Sequence, residues 1–236
     1  MKILGYIPTS FSDWDGKLVS ILFLGGCNYR CPFCQNYPLL IDEHPKQVFL
    51  WPEIAAQLKA KKQWIDGVVV SGGEPLLHPE VLDLCARIKE LGFPVKVDTN
   101  GSLPYVLMEL VERRLVDYVA LDIKTALDER YSKACGTKVE TGLVERTIDF
   151  LMKGRLDHEF RTTLVPGLVG KPEIGSIVKR IKGARKYALQ QFVPDNARLE
   201  VFRKKKPYNL QQLQELSAIA RPHVKELVIR GKASEK

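Results

Sequence analysis

Residues 26–36 read GCNYRCPFCQN and carry three cysteines in eight positions, Cys27, Cys31 and Cys34, spaced C-x3-C-x2-C. Thiolates bunched this closely are soft ligands for zinc or for an iron–sulfur cluster. Four thiolates complete either site, and three leave one metal position open. Closed sites are structural, whereas catalytic sites keep a vacancy. A zinc site would need a fourth ligand, and the nearest histidine, His44, lies ten residues past Cys34. Structural zinc ligands usually come as two separated pairs rather than three on one loop. The spacing therefore favours a cluster with an open position, with zinc as the alternative.

Such a loop must be carried by something rigid, and the rest of the chain supplies a repeating scaffold. Apolar runs that read as strands occur at 18–24, 67–72, 94–99, 116–123, 159–165, 188–193 and 225–230. Amphipathic stretches between them predict helices at about 52–64, 79–91, 103–114, 141–153, 172–184 and 209–221. Pro52, Pro79 and Ser102 supply helix-start signals, and Gly92 suits a C-terminal cap. The strands are continuous apolar runs, as in parallel strands buried on both faces. Alternation of this kind predicts an α/β fold with a parallel sheet, either doubly wound or a partial (β/α)6 barrel. Both architectures place ligands at the C-terminal ends of the strands.

The remaining unusual residues collect at those ends. The cysteine loop follows the first strand and SGGEP (71–75) closes the second. DTNG (98–101) closes the third, DIK (122–124) the fourth, and RTTLVPG (161–167) runs through the fifth and its exit. The entry sides, WIDG, LGFP, RRLV and KGRLDH, read as plain turns. Polar loops alone do not explain carboxylates, glycines and thiols confined to the exit side.

Taken together, these stretches resemble the radical S-adenosylmethionine (SAM) enzymes. The spacing with an aromatic residue, Phe33, before the last cysteine is their signature, and SGGEP about forty residues on strengthens it. The resemblance runs over nearly the whole chain. It is greatest to glycyl-radical-enzyme activases of the anaerobic ribonucleoside-triphosphate reductase type, through FLGGCNYRCPFCQN, VVVSGGEPLLHPEVL, VKVDTNGS, VDYVALDIK and RTTLVPG. The resemblance implies a partial barrel of radical SAM type. It also implies one [4Fe–4S] cluster on Cys27, Cys31 and Cys34, with SAM chelated at the open iron. In the implied cofactor site, Glu74 faces the SAM ammonium group. Gly72 and Gly73 of SGGEP, which also contains Pro75, admit the ligand close to the backbone. Asp98, Asn100 and Asp122 lie at neighbouring strand ends, the two aspartates beside a monovalent cation. Lys124, and Arg161 unless it pairs with an internal acid, meet the SAM carboxylate. Phe33 and Gln35 contact adenine through backbone groups. Three departures stand out: Gln35 where the family often has histidine, Asp15 where a proline often precedes Gly16, and QQFVPDN without the histidine some activases carry.

Composition sets outer limits. The chain has 236 residues, 45% hydrophobic and 27% charged, which suits one soluble domain spanning 1–236, with 203–236 as a C-terminal helix and strand extension. No apolar run approaches the roughly 20 residues that cross a bilayer, and MKILGYIPTSFSDWDGK lacks the marks of a signal peptide. A cytoplasmic location is expected, without membrane partners. The odd count of five cysteines argues against a disulfide framework; Cys85 reads as a core residue and Cys135 as an inert loop thiol. A net charge of +8 includes the run Arg203-Lys204-Lys205-Lys206, a weak nucleic-acid signal, so nucleic acid is not the expected partner. The expected partners are a glycyl radical enzyme as protein substrate and an electron donor such as flavodoxin or ferredoxin. Two alternatives remain: a radical SAM enzyme acting on a small molecule, as in deazapurine synthesis, and a non-catalytic iron–sulfur electron-transfer or binding protein.

Overall fold

The computed structural model describes residues 2–37 and 48–232; His44 lies outside them. Eight strands take chain order in an open sheet. They are β1 (Ile3–Ser10), β2 (Val19–Leu24), β3 (Gly67–Gly72), β4 (Val95–Thr99), β5 (Tyr118–Asp122), β6 (Asp157–Leu164), β7 (Lys186–Gln191) and β8 (Glu226–Arg230). The helices are α1 (Trp51–Ala60), α2 (Val81–Glu90), α3 (Pro104–Glu112), α4 (Glu129–Cys135), α5 (Thr141–Lys153), α6 (Lys171–Arg180), α7 (Glu200–Arg203) and α8 (Leu210–Ala220). The fold is therefore α/β with a mainly parallel sheet, as the alternation predicts. The exception is β1, which the sequence reading missed and which pairs antiparallel with β2. Its residues are mostly half-buried or exposed, so they lack the continuous apolar run by which the other strands are recognised.

The fold divides into two compact units, and the division passes through β5. The first comprises residues 1–28, 38–99 and 103–120. Its centre is β2 and β3, where Val19, Ile21, Leu22, Val68, Val69 and Val70 are fully or almost fully buried. Each such side chain contributes about 1.5–3 kcal/mol of transfer free energy. Trp14 packs on Val19, Ile21 and Val69, its ring tilted against Tyr118 at 5.4 Å. β2 and β3 run parallel with Val19 opposite Gly67 and Leu24 opposite Gly72. Both strands thus end level, and their exit loops leave side by side.

The second unit comprises residues 29–37, 100–102 and 121–236. β6 and β7 pair in parallel, as do β7 and β8. The segment from 203 onward belongs to this unit: β8 completes its sheet, and Leu213, Leu216 and Ala220 of α8 are buried. An ion pair fixes β8 further, with Arg230 NH2 2.7 Å from the buried carboxylate of Glu159 on β6. Among the described residues, no helix is long and apolar enough to cross a membrane.

Candidate functional site

Within the first unit the SGGEP motif is stitched to the exit of β2. Gly73 N donates to Leu24 O at 2.9 Å and Glu74 N donates to Gly26 O at 2.9 Å, immediately before Cys27. Gly72 explains why the motif needs glycine. Its φ is +123°, and a Cβ there would lie 2.2 Å from Leu24 O and 2.4 Å from Leu24 N. The close approach that Gly72 permits is thus made by the neighbouring strand.

Glu74 is fully buried. Its Oε1 accepts from Thr99 Oγ1 at 2.8 Å and from Leu76 N at 3.2 Å, so the carboxylate also caps the short 3-10 turn Pro75–Leu77. These bonds offset the desolvation of a buried carboxylate and fix its orientation. Thr99, inside the DTNG motif, was not singled out from the sequence; its role depends on β4 lying beside β3. The same register brings Ser71 Oγ to Asp98 Oδ2 at 3.0 Å, while Lys96 Nζ stands 3.5 Å from Asp98 Oδ1.

The second unit holds the rest of the cysteine loop. Cys31 is buried, and Cys34 N donates to Cys31 O at 3.2 Å to close a tight turn around the buried Phe33. Arg30 N donates to Cys135 O at 2.8 Å, and Leu199 N donates to Pro32 O at 3.0 Å. Arg198 NH1 adds a bond to Arg30 O at 2.8 Å, and Gln35 Nε2 donates to Val193 O at 3.1 Å. The loop's place is therefore fixed by main-chain bonds on both sides.

Cys135 is not the inert loop thiol the sequence suggested. It ends α4, is fully buried, and is followed by Gly136 at φ 63°, a left-handed cap. A hydrogen bond with Cys135 and the positive charge of Lys124 hold the Cys31 thiol below its ordinary pKa against the opposing effect of burial. Burial, and then the neighbouring Cys31, push Cys34 upward. Cys85 is the core residue expected, its thiol pushed up to about 12 by burial.

Asp122, at the end of β5, accepts from Arg161 Nε at 2.7 Å and from Lys124 Nζ at 3.1 Å. Burial alone would raise its pKa, but Arg161 and then Lys124 hold it well below the usual carboxylate range. Burial likewise opposes the charge on Lys124, and Asp122 more than restores it. Arg161 thus takes the alternative left open by the sequence, pairing with an internal acid. Asp98 and Asp122 both have cationic side chains of the chain itself beside them. Asn100 forms a local turn, its Oδ1 accepting from Ser102 N at 2.9 Å. Gly101 turns at φ 77° and its carbonyl accepts from Thr147 Oγ1 at 2.7 Å.

The donor set suits an iron–sulfur cluster. All five cysteines are thiols rather than disulfides, and metal ligation needs the thiolate that the surroundings of Cys31 favour. Among the described residues, no three His, Cys, Asp or Glu side chains are grouped around a single metal ion. A four-iron cluster makes a different demand, because each thiolate binds its own iron.

Comparison with known proteins agrees with this chemistry. The radical SAM superfamily pattern matches residues 21–173. A Methanocaldococcus jannaschii protein, provisionally named a glycyl-radical enzyme activating enzyme, is 35% identical over 98% of this chain and 97% of its own length. The pyruvate formate-lyase-activating enzyme of Clostridium pasteurianum is 30% identical over 72% of this chain and 73% of its own. Streptococcus suis SuiB bound to S-adenosylmethionine shares the fold, with a TM-score of 0.68 over 89% of this chain at 15% identity; the chain spans about half of SuiB, 52%.

Proposed function

The chain belongs to the radical SAM superfamily, and from that premise we propose that it activates a glycyl radical enzyme, an anaerobic ribonucleotide reductase being the candidate suggested by the sequence. The observation that carries this reading is the likeness to the M. jannaschii protein over almost the full length of both chains. Cys27, Cys31 and Cys34 hold the [4Fe–4S] cluster. When bound, the cluster would supply the one-electron chemistry that breaks a carbon–sulfur bond of SAM, so that a hydrogen atom could be removed from a backbone glycine of the partner.

The chain's own residues bind, orient and exclude water. Glu74, held by Thr99 and Leu76 N, accepts from the SAM ammonium group, with Gly73 and Pro75 flanking it. Lys124 holds its charge beside Asp122 and offers it to the SAM carboxylate, while Arg161 orients Asp122. Phe33 and Gln35 keep the backbone after Cys31 in place for adenine, and Asp98 and Asn100 are further cofactor-binding residues in this reading. Five cysteines held as thiols rather than disulfides suit a reducing, cytoplasmic setting.

The test is anaerobic incubation of the reconstituted, reduced protein with SAM and the candidate reductase. A glycyl radical signal, with an equimolar yield of 5′-deoxyadenosine, is expected. SAM cleavage with no radical on any glycyl radical protein would overturn the assignment.

A further inference from the structure

A groove of about 370 Å³ opens on the second unit against the cysteine loop. Pro32, Leu168, Leu199 and Phe202 line it with apolar surface, and Arg30, Lys133 and Arg198 bring three positive charges. Leu199 is 47% exposed and Val201, two residues on, is 61% exposed. These are large apolar groups that a folded chain gains nothing by leaving in water. Lys205 stands 5.3 Å above the Phe202 ring and adds a fourth charge at the edge. Among the described residues, no acidic side chain lines the groove. The nearest in sequence, Glu200, is paired with Lys204 at 2.6 Å.

The groove also has a short covalent route inward. Pro32 follows Cys31 directly and precedes Cys34 by two residues, so its backbone lies about 4 Å per residue from both ligand positions. The Pro32 carbonyl is bonded to Leu199 N at 3.0 Å. Whatever packs on Leu199 therefore packs on the loop that would hold two of the cluster's three thiolates.

We propose that this groove is the docking site of an acidic one-electron carrier protein that reduces the cluster. This rests on the radical SAM reading above and adds to it the route by which the electron enters. The chemistry balances simply: the carrier loses one electron, the cluster gains it, and no atom or proton need cross the interface. An apolar floor with a cationic rim suits such a partner. Contact between electron carriers is small and brief, the apolar centre excludes water, and the rim charges steer an acidic surface into place. The three like charges line one groove, and salt screens the attraction of an exposed rim for an acidic surface, so the steering weakens as ionic strength rises.

The test uses the cluster-loaded protein with Lys133→Glu and, separately, Leu199→Asp, both outside the groups that hold cluster or SAM. Binding of a fluorescently labelled flavodoxin is measured at low and high ionic strength, and SAM cleavage is driven either by reduced flavodoxin or by dithionite. Flavodoxin should bind Lys133→Glu about tenfold more weakly at low salt, with the difference shrinking as salt rises. Flavodoxin-driven cleavage should fall in parallel, while dithionite-driven cleavage stays at the wild-type rate. Leu199→Asp should lose flavodoxin affinity at both ionic strengths. Unchanged flavodoxin binding in both variants would overturn the proposal. So would variants that activate the glycyl radical partner poorly under dithionite yet accept electrons from flavodoxin normally, because the groove would then seat the substrate protein. A wild-type protein that cleaves no SAM even with dithionite would instead refute the radical SAM reading itself.

Discussion

Replacing Gly72 by alanine should be among the most damaging single-atom additions this chain can receive. The new Cβ would sit 2.2 Å from Leu24 O and 2.4 Å from Leu24 N, both backbone atoms, at a φ of +123° that L-residues rarely adopt. Ordinary van der Waals contact begins beyond 3.4 Å, so the ends of β2 and β3 must part by roughly 1 Å to relieve the overlap. The backbone conformation alone costs about 1–3 kcal/mol. Separation would also weaken the bonds Gly73 N to Leu24 O and Glu74 N to Gly26 O, at about 1 kcal/mol each. The sum is a destabilisation of about 3–5 kcal/mol, large against the usual effect of a point substitution. Urea denaturation of the cluster-free protein reads this directly. Gly175→Ala on α6 is the matched control. It has nothing within 4 Å of the added methyl, and in a helix interior it should stabilise by about 0.5–1 kcal/mol. If Gly72→Ala unfolds within about 1 kcal/mol of wild type, the close approach of β2 is not what requires glycine there.

Thr99→Val keeps the shape but removes a donor to Glu74 Oε1; SAM should bind about tenfold more weakly, as a charged hydrogen bond of about 1.5–3 kcal/mol implies, with iron content unchanged. Equal SAM affinity by calorimetry would take Glu74 and Thr99 out of the ligand site. Asp122 has a folded-state pKa below its unfolded value, so its stabilising contribution is complete above about pH 4 and is lost as pH falls further. The wild-type melting temperature should therefore drop more steeply on acidification than that of Asp122→Asn, which starts lower at neutral pH; parallel profiles would contradict the Arg161–Asp122–Lys124 arrangement. Cys135→Ala should move the pH midpoint of Cys31 alkylation upward in the cluster-free protein, since the hydrogen bond with Cys135 is the largest influence lowering that thiol; an unmoved midpoint would show that the two thiols do not interact.

Much of the scaffold was legible because its signals are local. The apolar period that predicts a helix over 141–153 coincides with α5, Thr141–Lys153, and GVVVSG at 67–72 is β3. Motifs were found at strand exits because a polar or glycine-rich group stands where an apolar run stops. β1 escaped notice because its ILGYIPTS carries Gly5, Pro8 and two terminal polar residues and buries only part of its surface. α4 escaped because seven residues give too little periodicity to read. Within the site, the residue types were readable but their partners were not. Thr99 meets Glu74, Arg161 meets Asp122, and Cys135 meets Cys31 through contacts 25, 39 and 104 positions apart, which strand register and loop anchoring decide. Register also gives Gly72 its reason, since Leu24 is opposite it in the β2–β3 pair.

The most direct test of the central claim is iron and sulfide analysis of anaerobically reconstituted protein, read together with 5′-deoxyadenosine release on reduction. The account predicts one four-iron cluster per chain, lost in Cys31→Ser while that variant keeps its folded α/β spectrum, and SAM cleaved only by the loaded protein. A colourless protein that binds zinc through the same cysteines and leaves SAM intact would contradict it.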